Sequence, residues 1–305
     1  MSKKNNWVTV SGLAEIADDA IKYIPHKSDL TMTLGALDVC TVKSDCLFNE
    51  GEVSFDVKIT SVETGVQLVL CWGNPLYVSF NVGNFAFGLR SYNQNQSQSQ
   101  NFNNSVAETG SKESLELNKT YNIKVIVKAS FARLYIDGVE ILSLIHNTYK
   151  APLSFNFFGG GEAIVSNVKV VDYKPRVFVV MQFTEQFNDL YNSVIKPICE
   201  QKGLEPVRAD DFYTNGLIIH DIVQSIYDSS VIIADITPNN PNVYYEVGFA
   251  HASNKHVVLL CDKEREKLPF DLSGFRTIFY TNSISGKDEV EHNLRKHLEK
   301  IFPID

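Results

Sequence analysis

The sequence predicts two domains, an all-β sandwich over residues 1–173 followed by an α/β domain with a parallel sheet over 174–305. Three observations carry the prediction. The first half alternates apolar and polar residues with period two; after "DYKPR" (172–176) the pattern changes to apolar runs alternating with helical spacing; and 305 residues suit two cores better than one.

In the first half, "GEVSFDVKIT" (51–60) sets Val53, Phe55, Val57 and Ile59 on one face and Glu52, Ser54, Asp56 and Lys58 on the other. "YNIKVIVKA" repeats the alternation with Ile123, Val125 and Val127. "ARLYIDGVEILSL" places Asp137-Gly138 between two apolar runs, a hairpin signal because such a turn needs positive φ. "PLYVSFNVGNFAFGLRSY" and "EAIVSNVKVVDY" supply further strands, and many short strands with frequent turns imply an antiparallel sandwich. Between them, "NQNQSQSQNFNNS" (93–105) is polar low-complexity sequence and reads as a mobile surface loop.

In the second half, "RVFVVMQF" is an apolar run suited to a strand buried on both faces. Phe187, Leu190, Tyr191, Val194, Ile195 and Ile198 then follow at helical spacing up to Gly203, with Pro197 inside the helix where it should kink the chain. A strand at "LEPVRAD", a helix at "GLIIHDIVQSIYDSS" and a strand at "VIIADIT" come next. A helix capped by Asn240 with Pro241 at its first position, strands "HVVLLCD" and "TIFYTN", and a charged helix at 287–301 complete the alternation.

A net charge of −8, with no basic cluster longer than Lys3–Lys4, argues against a nucleic-acid partner. Five cysteines, Cys40, Cys46, Cys71, Cys199 and Cys261, form no C-x-x-C pair, so neither a disulfide frame nor a zinc site is expected. The seven histidines do not cluster, and neither metal nor cofactor is expected. The start "MSKKNNWVTV" lacks the apolar core of a signal peptide, and no apolar run reaches membrane-spanning length. The expectation is a cytoplasmic protein that does not engage a membrane.

In an open parallel sheet the ligand sits beyond the carboxyl ends of the strands, near a topological switch point. The residues there are Met181, Gln182 and Phe183 after the first strand, Arg208, Asp210 and Asp211 after the second, Asp235 and Thr237 after the third, and Asp262 after the fourth. No glycine-rich phosphate loop follows any strand, which weakens dinucleotide dehydrogenase and P-loop readings. On the helix in "DITPNNPNVYYEVGFAHA", Val243, Val247, Ala250 and Asn254 form a narrow stripe facing the sheet. Glu246 falls about 60° from Val243, at the margin of that stripe, beside Asn242 and Ser253. Spacing alone leaves two readings open: a solvated Glu favoured by the helix dipole, or a carboxylate aimed at the strand ends. Asp235 likewise reads as a turn-stabilising residue before Thr-Pro or as a sugar contact. Arg208 reads as a phosphate contact or as a surface partner of Asp210 or Asp211. His251 is most simply a packed or solvated helix residue.

"VFVVMQF", "RADD", "ADITPNNPNVYYEVGFAHA" and "LPFDLSGFR" together resemble the TIR-like, nucleoside 2-deoxyribosyltransferase-like family over about 176–302, with N-P-N-V-x-Y-E-x-G-x-A-H-A as the most specific piece. The resemblance implies a flavodoxin/TIR-like parallel sheet, a nucleotide or NAD substrate, and Glu246 as the catalytic carboxylate. Asp235 would join it as a second catalytic-site residue, binding ribose hydroxyls or orienting Glu246; Asn242 would help to position the ribose, and Arg208 and Gln182 the phosphates. Asn240 and Asn242 stand where the transferases carry a further acid, which favours hydrolysis over base exchange. The resemblance also implies a bacterial antiviral-defence effector working as a homo-oligomer, with Tyr245 and Phe249 as an expected contact patch. The alternatives are a non-catalytic nucleotide-binding or signalling module, or a carbohydrate-binding protein acting through the N-terminal domain. The first 170 residues resemble concanavalin-like or laminin-G-like jelly rolls on "FNEGEVSFDVKI", "KTYNIKVIVK" and "ARLYIDGVEI", which implies a glycan or protein ligand, without any calcium-loop signature.

Overall fold

The computed structural model describes residues 6–17, 19–25, 39–70, 75–91, 106–129, 131–146, 150–209, 218–265 and 267–302. They fall into two compact units, one within Met1–Tyr173 and the other over Lys174–Asp305.

The first unit is a sandwich of two seven-stranded sheets whose described pairings are antiparallel. One sheet runs β1 (Trp7–Ser11), β4 (Val39–Phe48), β13 (Ala151–Phe158), β6 (Gly65–Val69), β7 (Leu76–Val82), β8 (Phe85–Ser91), β9 (Val106–Ser111). The other runs β12 (Val139–Ile145), β11 (Phe131–Ile136), β10 (Tyr121–Lys128), β5 (Gly51–Ile59), β14 (Ala163–Asp172), β3 (Ala20–Tyr23), β2 (Ala14–Ile16). Alternation dictates the core: Val53, Phe55, Val57 and Ile59 of β5 turn inward, as do Ile123, Val125 and Val127 of β10, to meet Phe80, Phe155 and Phe157 of the opposite sheet. Phe55 meets Phe155 edge to face at 5.0 Å between ring centres. The β11–β12 hairpin turns at Asp137 (φ 49°) and Gly138 (φ 84°), the positive φ values the sequence requires there. Gly51 opens β5 at φ 144°, and a Cβ on it would collide with the Val171 carbonyl, so only glycine fits. The expected polar loop at 93–105 lies outside the described residues.

The second unit is a five-stranded parallel sheet in the order β16 (Glu205–Arg208), β15 (Arg176–Val180), β17 (Val231–Asp235), β18 (His256–Asp262), β19 (Thr277–Tyr280). Its helices are α1 (Glu185–Leu190), α2 (Lys196–Gln201), α3 (Ile218–Asp228), α4 (Pro241–Ala252) and α5 (Ile284–Ile301). One apolar cluster joins α1, α2 and α5 to one face of the sheet, and a second joins α3 and α4 to the other. The helix after β15 and the helix after β17 therefore lie on opposite faces, which makes the β15/β17 boundary the switch point. The break expected at Pro197 is absorbed differently. Tyr191–Ile195 forms a π turn between α1 and α2, with Lys196 N–H reaching Tyr191 O, and Pro197 sits in the first turn of α2, where its missing N–H leaves no gap in the ladder.

Candidate functional site

Helix α4 starts as its sequence requires. Asn240 is extended (φ −105°, ψ 112°) and its side chain accepts from Asn242 N–H at 3.0 Å. Val243, Val247 and Ala250 are buried against the sheet, whereas Asn254, expected on the same stripe, lies past the helix end at φ 55°. Asn242 itself is exposed.

Glu246 is half-buried on α4. Burial pushes this carboxyl up to about 7 from an ordinary 4.5, and among the described residues no hydrogen bond or neighbouring charge offsets it. A solvated Glu at a helix N-terminus would move the other way. Its flank of the helix also carries Phe249, whose ring meets Tyr227 of α3 edge to face at 5.3 Å. The carboxyl therefore lies on the α3-facing side of α4, and α4 also contacts β15. The same contact corrects the expected aromatic patch: Phe249 packs within the unit, and Tyr245, 54% exposed, is left alone.

Asp235 takes a different place. It is fully buried at the end of β17, its Oδ1 accepting from Thr237 N–H at 2.9 Å and its Oδ2 from the Tyr280 hydroxyl at 2.8 Å. Burial pushes this carboxyl up, and the two donors oppose the rise. Thr237 Oγ1 accepts from Asp262 N–H at 2.9 Å, and Asp262 Oδ1 accepts from Glu264 N–H at 2.9 Å. The ends of β17, β18 and β19 are thus tied by side chains that leave Asp235 no surface for a sugar. The Asp262 carboxylate nearby adds to the rise of Asp235. Arg265, which sequence reasoning did not single out, donates to the carbonyls of Ile236 and Thr237 and, at 2.7 Å, to the Tyr244 hydroxyl.

Met181, Phe183 and Arg208 do come together. Arg208 is only 6% exposed; it donates to Asn188 Oδ1 at 2.9 Å and approaches Met181 Sδ at 3.9 Å. Its guanidinium lies 4.4 Å from the Tyr191 ring centre and 5.3 Å from that of Phe183. Arg208 is therefore buried and not a surface residue. Met181 is buried, Gln182 half-buried and Phe183 exposed; Asp210 and Asp211 lie outside the described residues. Burial first of all pushes the Cys199 thiol up to about 12 and that of Cys261 up to about 11, which disfavours either as a nucleophile. His251 stacks on Phe275 at 4.2 Å, a packed residue. Among the described residues no group of three His, Cys, Asp or Glu could hold a metal, and no helix is long and apolar enough to cross a membrane.

The sandwich has a polar feature of its own. Register sets Thr41, Asn156, Gln67, Ser79, Gly88 and Glu108 in one line across six strands. Their chain neighbours Val42, Phe155, Leu68 and Val78 belong to the core, so alternation turns the line to the opposite face. Thr41 donates to Asn156 Oδ1 at 3.0 Å, Gln67 to Ser79 Oγ at 3.1 Å, and Glu108 pairs with Arg90. Nearby Ser154, fully buried on β13, has an Oγ without a hydrogen-bond partner.

No protein-family model matches the chain. No curated protein matches it. Among solved structures it is similar to the carbohydrate-binding module CBM66 from Bacillus subtilis, at 15% identity and TM-score 0.40 over 55% of this chain and 96% of that one. It is similar to a Bacillus licheniformis β-glucanase at 9% identity and TM-score 0.42, over 55% of this chain and 92% of that one. A prokaryotic β-1,3-1,4-glucanase from a mouse hindgut metagenome gives 8% identity and TM-score 0.42, over 56% of this chain and 94% of that one. The N-terminal unit is a sandwich of two antiparallel sheets, and a small parallel sheet with helices follows it.

Proposed function

We propose that the α/β unit hydrolyses the N-glycosidic bond of a nucleotide or NAD, with Glu246 as the catalytic carboxylate. The observation that carries the reading is Glu246 itself, half-buried, without a donor, and on the α3-facing flank of the helix that follows the central strand. Cleavage of the C1′–N bond builds positive charge at C1′, which the ionised carboxylate stabilises. A purine or pyrimidine leaves with a proton, whereas nicotinamide takes the bonding pair onto its cationic ring nitrogen and leaves neutral without one. Water then adds at C1′ and gives up a proton. A carboxyl titrating near 7 is matched to taking that proton at neutral pH. Buried Arg208 and Asp235 shape the strand ends; Gln182, Phe183 and Asn242 keep the exposure a substrate contact needs. The resemblance to TIR-like and deoxyribosyltransferase-like domains supports the same chemistry and a role as an antiviral-defence effector acting as a homo-oligomer. The test is a panel of nucleotides and NAD assayed by chromatography for free base, with Glu246→Gln as control. Base release by wild type and its loss in the variant are expected; release by a well-folded variant at the wild-type rate overturns the assignment.

A second reading concerns the sandwich as a glycan-binding unit, and the observation that favours it is the polar line from Thr41 to Glu108. Thr41, Asn156 and Glu108 keep partial exposure and offer hydroxyl, amide and carboxylate groups to a sugar chain, while Gln67 and Ser79 between them are buried against one another and support the line from beneath. Retention on a glycan array, weakened by Asn156→Ala, is expected; no retention on any glycan discards it.

A further inference from the structure

The same unit contains a clamp that the chemistry above does not explain. Arg265 lies in the loop after β18, yet its guanidinium reaches across to the segment joining β17 to α4. It donates to the carbonyls of Ile236 and Thr237 and to the hydroxyl of Tyr244, while its Nε donates to Lys267 O at 3.0 Å. The Arg265 guanidinium also sits 5.9 Å from the Tyr244 ring centre. Tyr244 belongs to the first turn of α4, two residues before Glu246.

Helix geometry shows what the clamp controls. Val243, Val247 and Ala250 press α4 onto the sheet, but a stripe of small apolar residues resists lifting better than rolling. At 100° per residue, Tyr244 lies about 100° to one side of Val243 and Phe249 about 120° to the other. Phe249 is held by Tyr227, and Tyr244 by Arg265. The two flanks together fix the roll of the helix, and Glu246 lies between the stripe and the Phe249 flank. A roll that loosened Tyr244 would carry Glu246 out of the place where it is desolvated. Beneath the loop, the Asp235–Tyr280 and Thr237–Asp262 bonds hold the strand end firm, so Arg265 closes against a rigid base.

We infer that Arg265 is a positioning residue for Glu246, setting the roll of α4 by binding the Ile236 and Thr237 carbonyls and the Tyr244 hydroxyl. The inference rests on the N-glycosidase reading for its consequence in rate and on the geometry alone for its consequence at the carboxyl.

The experiment reads both. Carbon-13 NMR of the full chain with labelled glutamate, the Glu246 signal identified by its absence in Glu246→Gln, follows the titration of that carboxyl. In Arg265→Ala the midpoint is expected to fall from about 7 toward the ordinary 4.5 as the side chain gains water. Base release is expected to lose about tenfold or more in kcat with KM changed less than about threefold, and Arg265→Lys to recover only part of it. Tyr244→Phe, which removes the acceptor for Arg265 and the long 3.5 Å donation to Pro238 O while keeping the ring, should shift both readouts in the same direction and serves where Arg265→Ala does not fold. A folded Arg265→Ala or Tyr244→Phe protein with the wild-type titration midpoint overturns the inference. If wild type releases no base from any substrate, the N-glycosidase reading fails while the titration still decides the positioning.

Discussion

Glu246→Gln should make the protein more stable at alkaline pH while abolishing base release. The folded carboxyl titrates at about 7 against an ordinary 4.5 because burial disfavours its charge. A carboxyl raised on folding contributes stability that is complete below the unfolded value and lost as pH climbs through the folded one. Each pH unit between the two values is worth ~1.4 kcal/mol, which sets an upper figure of about 3 kcal/mol against the ionised folded protein. Water at the partly exposed side chain reduces this, so about 2 kcal/mol is the expected gain for Gln at about pH 8.5, shrinking to a few tenths near pH 4.5. The two tryptophans, Trp7 and Trp72, precede residue 174, and the five α-helices follow it. Urea unfolding followed by helical circular dichroism therefore reports the α/β unit, and tryptophan fluorescence provides the internal control. Equal stability of the two proteins at both pH values would show that the carboxyl is solvated and refute the argument from burial.

Tyr280→Phe removes the donor to a fully buried Asp235 oxygen and should cost about 1–3 kcal/mol, more at high pH because the ionised carboxylate needs the bond most; chemical unfolding at two pH values checks it. Arg208→Ala loses contact with two rings and a hydrogen bond to Asn188, an expected loss of about 2–3 kcal/mol, and a phosphate role would add a rise in KM of about tenfold for a nucleotide over its nucleoside. Gly51→Ala meets the Val171 carbonyl at a φ disfavoured for alanine and should cost more than ~1 kcal/mol in the fluorescence transition of the sandwich. Tyr245→Ser removes the aromatic left exposed on α4 and should lower the mass measured by light scattering if that helix joins copies of the chain.

What could be read from the sequence was local. The alternation of β5, the positive-φ pair Asp137-Gly138 and the Asn240 cap each depend on residues a few positions apart, and each forms as written. Strand β6 left no comparable mark: all five of its residues are buried, so no alternation distinguishes its faces. The site was legible in part for the same reason. The stripe margin placed Glu246, but the partners of Asp235 and Arg208 come from far along the chain, Tyr280 being 45 residues from Asp235 and Asn188 20 from Arg208. Spacing cannot show that a carboxylate has a tyrosine over it or that a guanidinium lies on two rings. Arg265 had no signal at all, since its partners are backbone carbonyls, which any sequence supplies, and a Tyr244 hydroxyl 21 residues away.

The contrast between two carboxylates in one unit bears on which of them does chemistry. Asp235 is the deeper, yet it is given a backbone and a phenolic donor, so its charge is accommodated as a part of the fold. Glu246 is shallower and is given none, so its burial costs stability that a glutamine or an apolar residue at the same position would recover. Nothing in the packing of α4 requires that cost: Val243, Val247 and Ala250 already fill the sheet face, and Phe249 already meets α3. A local choice that works against folding, with Arg265 clamping Tyr244 two residues away, is what the proposed N-glycosidase reading calls for, the substrate then supplying the missing donor or the developing positive charge.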